Sequence, residues 1–161
     1  MDVGSSTGGI TECLLQKGAV RVIAVDVGYG QLDWHLRQDP RVVCMERTNI
    51  RYLDSQSLNG PVDLVTIDVS FISLKKVLPK VLEVLKPGGC VLALVKPQFE
   101  VGKGEVGRGG IVRERSQHER VIQDITSFAQ SLGFISSGHF TSPIKGKKGN
   151  VEYFLYLKKI V

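Results

Sequence analysis

MDVGSSTGGITECLLQKGAVRVIAVD, residues 1–26, is the stretch that decides the fold. Its middle, Thr7 to Lys17, puts Ile10, Cys13 and Leu14 on one helical face and stops at Gly18. Its end, Val20 to Asp26, is apolar and β-branched and closes on a carboxylate, the pattern of a buried strand. Its start leaves Asp2-Val3 as the end of a first strand, followed by Gly4-Ser5-Ser6-Thr7-Gly8-Gly9. Strand, glycine-rich turn, helix and strand make a βαβ unit, whose strands are expected to run parallel.

The alternation continues outward. A short helix over Gln31–Arg37 stops before Pro40, and Val42–Glu46 and Val62–Asp68 are strands. Leu74, Val77, Leu78, Val81, Leu82 and Leu85 recur at helical spacing, and Pro87-Gly88-Gly89 is expected to end that helix. Cys90–Val95 is a strand ending at Lys96-Pro97, and Glu100–Gly110 has no periodicity. Val121, Ile122, Ile125, Phe128 and Leu132 mark a helix ending at Gly133. Phe134–Thr141 and Val151–Leu157 are the last strands, and the basic turn Lys145–Gly149 lies between them. Their short connection makes that pair antiparallel. The expected fold is α/β and Rossmann-like: a mostly parallel sheet with helices on both faces and a C-terminal antiparallel hairpin. With no repeat or linker, residues 1–161 are expected to form one domain.

Composition agrees with a globular chain. Of 161 residues, 42% are hydrophobic and 23% charged, which excludes disordered, collagen-like and disulfide-scaffold classes. No apolar run approaches the ~20 residues that span a bilayer, so membrane insertion is not expected. The N-terminus lacks the pattern of a signal peptide. Cys13, Cys44 and Cys90 are widely spaced and are expected to be reduced core thiols of a cytoplasmic protein. His35, His118 and His139 have no metal-ligand spacing, so no metal is expected, and Trp34 is expected to pack rather than stack on a base. The formal charge of +5 permits a polyanionic partner.

Ligands of open α/β sheets sit beyond the carboxyl ends of the strands. The Gly4–Gly9 loop lies at such an end. It is neither the dinucleotide fingerprint, since Ser6 stands where the second glycine would be, nor a P-loop, since no G-K-[ST] follows. Asp26 closes the second strand, where a carboxylate can hold ribose hydroxyls, or simply cap a turn. Asn49 follows the third strand, where an amide can pair with an adenine edge, or again form a plain turn.

Six segments together resemble a known family: DVGSSTGGITECLLQ (2–16), VDVGYGQL (25–32), ERTNIR (46–51), TIDVSFISL (66–74), VKPQFE (95–100) and GNVEYF (149–154). They are similar to the methyltransferase domain of the TlyA-type hemolysins, RNA 2′-O-methyltransferases with an FtsJ-like, S-adenosylmethionine-dependent catalytic domain. The resemblance implies that Asp2, Gly4, Ser5, Ser6, Thr7, Gly8 and Gly9 form the cofactor loop. It further implies Asp26 as the ribose carboxylate, an adenine contact near Asn49, and ribosomal RNA or a ribosomal subunit as partner.

The family's catalytic set is a Lys-Asp-Lys-Glu tetrad, whose last three members match Asp68, Lys96 and Glu152. Asp68 and Lys96 close successive strands expected to lie side by side, roughly 5 Å apart. Lys96 is the candidate base, with Asp68 orienting it beside the cofactor methyl and Glu152 positioning Lys96 or the ribose. Spacing alone also allows a structural ion-pair cluster. The first tetrad lysine, the start of the first strand and a small N-terminal RNA-binding domain are absent from this sequence. A nearby ammonium favours a neutral lysine, so Lys96 is expected to be a poorer base and methyl transfer weak. The shortened first strand is also expected to leave its neighbours exposed and the chain marginally stable.

Between Lys96 and Arg120, six basic residues alternate with four acidic ones. Lys103 and Arg108 in that segment could close over RNA as a lid, or belong to a mobile solvated loop. Lys145, Lys147 and Lys148 are more concentrated and could grip phosphates, or form a solvated turn. Two other functions compete with RNA methylation: cofactor binding without catalysis, and the membrane activity that the word hemolysin suggests.

Overall fold

A computed structural model describes residues 1–160; Val161, the last residue of the expected domain, lies outside the described residues. Seven strands form one sheet: β1 (Asp2–Val3), β2 (Val22–Val25), β3 (Val42–Met45), β4 (Val62–Ile67), β5 (Leu85–Val95), β6 (Phe134–Thr141) and β7 (Tyr153–Lys159). Four α-helices connect them: α1 (Gly9–Gln16), α2 (Trp34–Gln38), α3 (Leu78–Val84) and α4 (Arg115–Leu132). The spatial order is β3-β2-β1-β4-β5-β7-β6. β1 to β5 are parallel, and β7 runs antiparallel between β5 and β6. The expected Rossmann-like architecture is the observed one, with the antiparallel pair at its C-terminal edge.

Period-two burial on the strands creates two cores. On one face Val3, Ile23, Val25, Val65, Ile67, Val91, Ala93, Val95, Leu155 and Leu157 pack with Leu78 and Val81 of α3 and Val121, Ile125 and Ala129 of α4. On the other face Val22 and Ala24 lie under Leu15, Leu32 and Leu36. α4 ends at Gly133, whose φ of +107° is the left-handed cap that glycine adopts at least cost.

β1 is central. Asp2 lies across from Ala24 of β2 and Thr66 of β4. From β1 the chain moves outward through β2 and β3, and then returns to the other side of β1 with β4. The switch point therefore falls between β1 and β4, and the crevice above their carboxyl ends is where such sheets bind ligands. A second hollow, of about 370 Å³, lies at the opposite end, lined by Val22, Ile23, Val62 and Leu64.

Some expectations are corrected. The helix expected to run to Pro87 ends at Val84, because Leu85 turns into β5 and pairs with Val62. Lys86 to Gly89 then form an irregularity before Cys90 resumes the ladder against Leu64. Leu85 kept the apolar period of the helix, but its side chain fills the core from a strand. Cys13 and Cys44 are exposed and Cys90 is half-buried, so the thiols are not core residues. Trp34 is 72% exposed at the start of a helix too short to cover it.

Candidate functional site

The crevice at the switch point is a cavity of about 400 Å³, lined among others by Gly4, Ser6, Asp26, Val27, Asn49, Asp68 and Phe71. Its shape depends on Gly4. That residue has φ of +81°, and a Cβ there would run into the carbonyl oxygen of Asp68 on the neighbouring strand. The amides of Gly4 and Ser5 both donate to the Val25 carbonyl, at 2.8 and 3.1 Å. This locks the loop to the end of β2. Gly8, with φ of +102°, is pressed against Leu32 and Leu36, so α1 and the segment carrying α2 approach closely.

Asp26 stands at the wall. Its carboxylate accepts the Ser6 amide at 2.8 Å and the Gly28 amide at 2.7 Å. Each carboxylate oxygen thus accepts one amide and retains further acceptor capacity. Asn49 also lines the cavity, while its Oδ1 accepts the Arg51 amide at 3.1 Å and caps the turn after β3.

Asp2 is different. It is fully buried, and its carboxylate accepts the hydroxyls of Thr11 at 2.7 Å and Thr66 at 3.0 Å. Burial raises its carboxyl above the ordinary aspartate value, and the two hydroxyls oppose part of that rise. Asp2 thus ties α1 to the sheet from beneath the loop. Ser5 is buried as well; Thr7 is exposed and its carbonyl accepts the Asp33 amide at 3.0 Å. Gly9 opens α1. Of the loop residues, Gly4 and Ser6 face the cavity.

The other half of the site is made of side chains. Lys96 follows β5 and Asp68 follows β4, and their Nζ and Oδ1 are 2.7 Å apart. The Lys96 side chain is 12% exposed against 37% for Asp68, so the ammonium is the more enclosed partner. Lys96 Nζ also donates to Ser70 Oγ at 3.0 Å. Glu152 is buried just before β7; its Oε1 accepts the side-chain amide of Gln98 at 2.9 Å. Val95 pairs with Tyr153, so Lys96 and Glu152 occupy the next cross-strand position beyond the ladder.

The glycine-rich segment is fastened in place. Glu105 pairs with Arg120 of α4 at 2.6 Å and accepts the Gly102 amide at 2.7 Å. Buried Asn150 takes the Val112 amide on Oδ1 and donates to the Gly110 carbonyl. Buried His118 bridges the Val112 carbonyl and the Tyr153 hydroxyl, both at 2.7 Å. Asn150 thereby clasps the segment to the basic turn, and Lys148 lies against Gly110. Lys103, Arg108, Lys145, Lys147 and Lys148 are all exposed, and none joins an ion pair among the described residues.

Sequence reasoning passed over several residues that the structure places at the rim. Phe71 is 90% exposed, has φ of +63°, and meets Phe99 with ring centroids 4.8 Å apart. Arg47 lies 4.3 Å over the ring of exposed Tyr29. Gln98 and Asn150 sat inside quoted motifs but carried no assigned role; their signal was proximity to Lys96 and Glu152. Among the described residues, no three His, Cys, Asp or Glu side chains gather to hold a metal, and no helix is long and apolar enough to cross a membrane.

Comparisons agree with this layout. The model of the FtsJ-like methyltransferase family matches residues 1–159. The 16S/23S rRNA (cytidine-2′-O)-methyltransferase TlyA of Mycobacterium tuberculosis is 52% identical over 158 residues, 98% of this chain and 59% of the relative. The chain therefore spans somewhat over half the length of that protein. A solved structure, "Putative hemolysin from Streptococcus thermophilus", superimposes with a TM-score of 0.96 at 50% identity, covering 99% of this chain and 58% of the other. The 16S rRNA (adenine(1408)-N(1))-methyltransferase of Catenulisporales acidiphilia shares the fold alone, with a TM-score of 0.66 at 15% identity, covering 99% and 84%. A glycine-locked crevice at the switch point, a Lys–Asp pair closing the adjoining strands, and a family match over nearly every residue lead to one conclusion: the chain belongs to the FtsJ-like methyltransferase family.

Proposed function

We propose that this chain is the catalytic portion of an S-adenosylmethionine-dependent 2′-O-ribose methyltransferase acting on ribosomal RNA in the cytoplasm. The observation that carries the proposal is the Lys96–Asp68 pair, 2.7 Å apart at the carboxyl ends of adjacent strands, with Asp68 also lining the crevice. The relative with 52% identity supports the RNA substrate. The residues lining the crevice fit the cofactor: Asp26 would offer a carboxylate to ribose hydroxyls, Asn49 would offer its side-chain amide to an adenine edge, and Val27, Ile50 and Ile72 supply apolar walls.

Bound S-adenosylmethionine supplies an electrophilic methyl group on a positively charged sulfur. The chain must bring a ribose 2′-hydroxyl into line with that methyl, which supplies much of the acceleration. Lys96 takes the hydroxyl proton only as the neutral amine, so its ammonium must first pass a proton to solvent; Asp68 and Ser70 hold its Nζ, and Glu152 faces the same end of the sheet. Exposed Phe71 offers a ring on which a nucleobase can stack, and the exposed cations Lys103, Arg108, Lys145, Lys147 and Lys148 offer contacts to phosphates.

The test is transfer of isotopic methyl from S-adenosylmethionine to ribosomal subunits and to naked ribosomal RNA. The expected product is an alkali-resistant dinucleotide, because a 2′-O-methyl group blocks cleavage of the adjoining phosphodiester. Lys96→Met is expected to slow transfer by roughly 10²- to 10⁴-fold while leaving cofactor affinity within a few-fold. Transfer by this chain is expected to be weak without the upstream lysine and to rise when the upstream segment is supplied; methylation of a base, or cofactor binding with no transfer to either RNA even with that segment present, overturns the proposal. Neutralising Lys145, Lys147 and Lys148 together is expected to flatten the salt dependence of RNA binding.

A further inference from the structure

Glu152 is 6% exposed, yet no lysine or arginine among the described residues lies within ion-pair distance of it. Lys96 occupies the facing cross-strand position but spends its ammonium on Asp68 and Ser70. A buried carboxylate beside an ammonium it does not touch must be held by something else.

Two residues box it in. Gln98 Nε2 donates to Glu152 Oε1 at 2.9 Å. On another side stands Gly146, where a Cβ would lie 2.6 Å from the Glu152 carboxyl carbon. Gly146 has φ of −69° and ψ of 178°, a conformation any residue adopts. Backbone geometry therefore does not call for glycine here; the carboxylate does. Gln98 serves that carboxylate at some cost to itself. Its Oε1 is buried and has no hydrogen-bond partner among the described residues, so the protein itself does not repay the desolvation of that carbonyl. An apolar side chain of similar length would avoid that cost and would also lose the donor to Glu152.

We propose, resting on the methyl-transfer reading above, that Gln98 and Gly146 are positioning residues. They hold the Glu152 carboxylate apart from Lys96, at the place where it can accept a hydrogen bond from the incoming ribose. Without the Gln98 amide the carboxylate swings free, and with a methyl at position 146 it is displaced.

The experiment compares Gln98→Met, Gly146→Ala, Glu152→Gln and the double variant Gln98→Met/Glu152→Gln in methyl transfer to ribosomal RNA. Each of the first two is expected to lower kcat roughly 10- to 100-fold. KM for S-adenosylmethionine should stay within about twofold, because neither residue lines the crevice. The double variant should be no slower than Glu152→Gln alone, since Gln98 acts only through that carboxylate. Losses that multiply in the double variant, or wild-type kcat in Gln98→Met, overturn the assignment. Should Gln98→Met fail to fold, Gly146→Ala decides: a 10- to 100-fold loss supports the proposal and an unchanged kcat overturns it. The variants are compared with the upstream segment supplied: a wild type that then transfers no methyl brings down the function and this assignment with it, and an active wild type with indifferent variants brings down the assignment alone.

Discussion

Residues 4–9 and residues 102–110 are both rich in glycine, and both lead from the end of a strand toward a helix, but they are held by opposite means. The first loop is wedged. Gly4 and Gly8 have positive φ and no room for a side chain, one against the Asp68 carbonyl and the other against Leu32 and Leu36. The second segment is latched. Gly104 and Gly109 also have positive φ but open space around them; Gly107 does come close to backbone, at the Ile111 carbonyl, and the rest of the fastening comes from Glu105, Asn150 and His118. Close packing makes a cradle of fixed shape, suited to one cofactor. Polar latches make a surface whose shape can adjust, suited to a large and irregular partner such as folded RNA.

Substitutions sharpen that contrast. Gly4→Ala is expected to have the largest effect, about 2–5 kcal/mol of destabilisation from a left-handed alanine forced against backbone. Urea unfolding and calorimetry with S-adenosylmethionine would check it; ordinary stability with ordinary affinity would show that the loop is not wedged. Asn150→Ala should cost about 1–3 kcal/mol by orphaning the Val112 amide and the Gly110 carbonyl. Hydrogen exchange at Val112 should quicken while cofactor affinity holds, and a drop in that affinity would mean that the two segments are coupled. Gly109→Ala should cost about 1 kcal/mol, the strain of the left-handed region alone.

The smallest effect at neutral pH belongs to Asp2→Asn, and its sign is the informative part. Burial raises the folded Asp2 carboxyl above its unfolded value of 3.8. The wild type is therefore favoured most below that unfolded value and loses ground as pH rises through the folded one. Asparagine does not titrate. The melting temperature of Asp2→Asn relative to wild type should thus rise with pH through the folded value, and the gap should close on acidification toward 3.8. A gap that widens on acidification would mean that Asp2 is stabilised as the carboxylate.

Where a residue's role depends on neighbours close along the chain, it was legible beforehand. The apolar runs of β2, β4 and β5 declared a parallel sheet, and the bounds of β6 match its pattern residue for residue. Gly133 marked the end of α4 because helix termination is a local matter. Asp68 and Lys96 could be placed together because both close neighbouring strands. Long-range polar contacts were not legible. Asn150 reaches Gly110 and Val112, and His118 reaches Tyr153, across some forty residues with no periodicity to announce them. The resemblance set Asp2 in the cofactor loop, but the closing of Thr11 and Thr66 over its carboxylate has no local pattern to announce it. Cys13, Cys44 and Trp34 were misplaced for the same reason: their type suggests burial, and only the packed chain shows that no element covers them.

The two outer strands bear on how this protein keeps from sticking to itself. An unpaired strand edge offers free amides and carbonyls to any other chain that meets it. β3 presents Val42-Val43-Cys44-Met45, an apolar sequence, at one edge. It is only four residues long, with Arg41 before it and Glu46-Arg47 after it, so it offers a second copy little ladder and is bounded by charged residues at both ends. β6, twice as long, forms the other edge, and its register breaks between Ser136 and Gly138. That break interrupts the straight ladder that edge-to-edge polymerisation needs. The sheet is thus guarded by shortness on one side and by irregularity on the other.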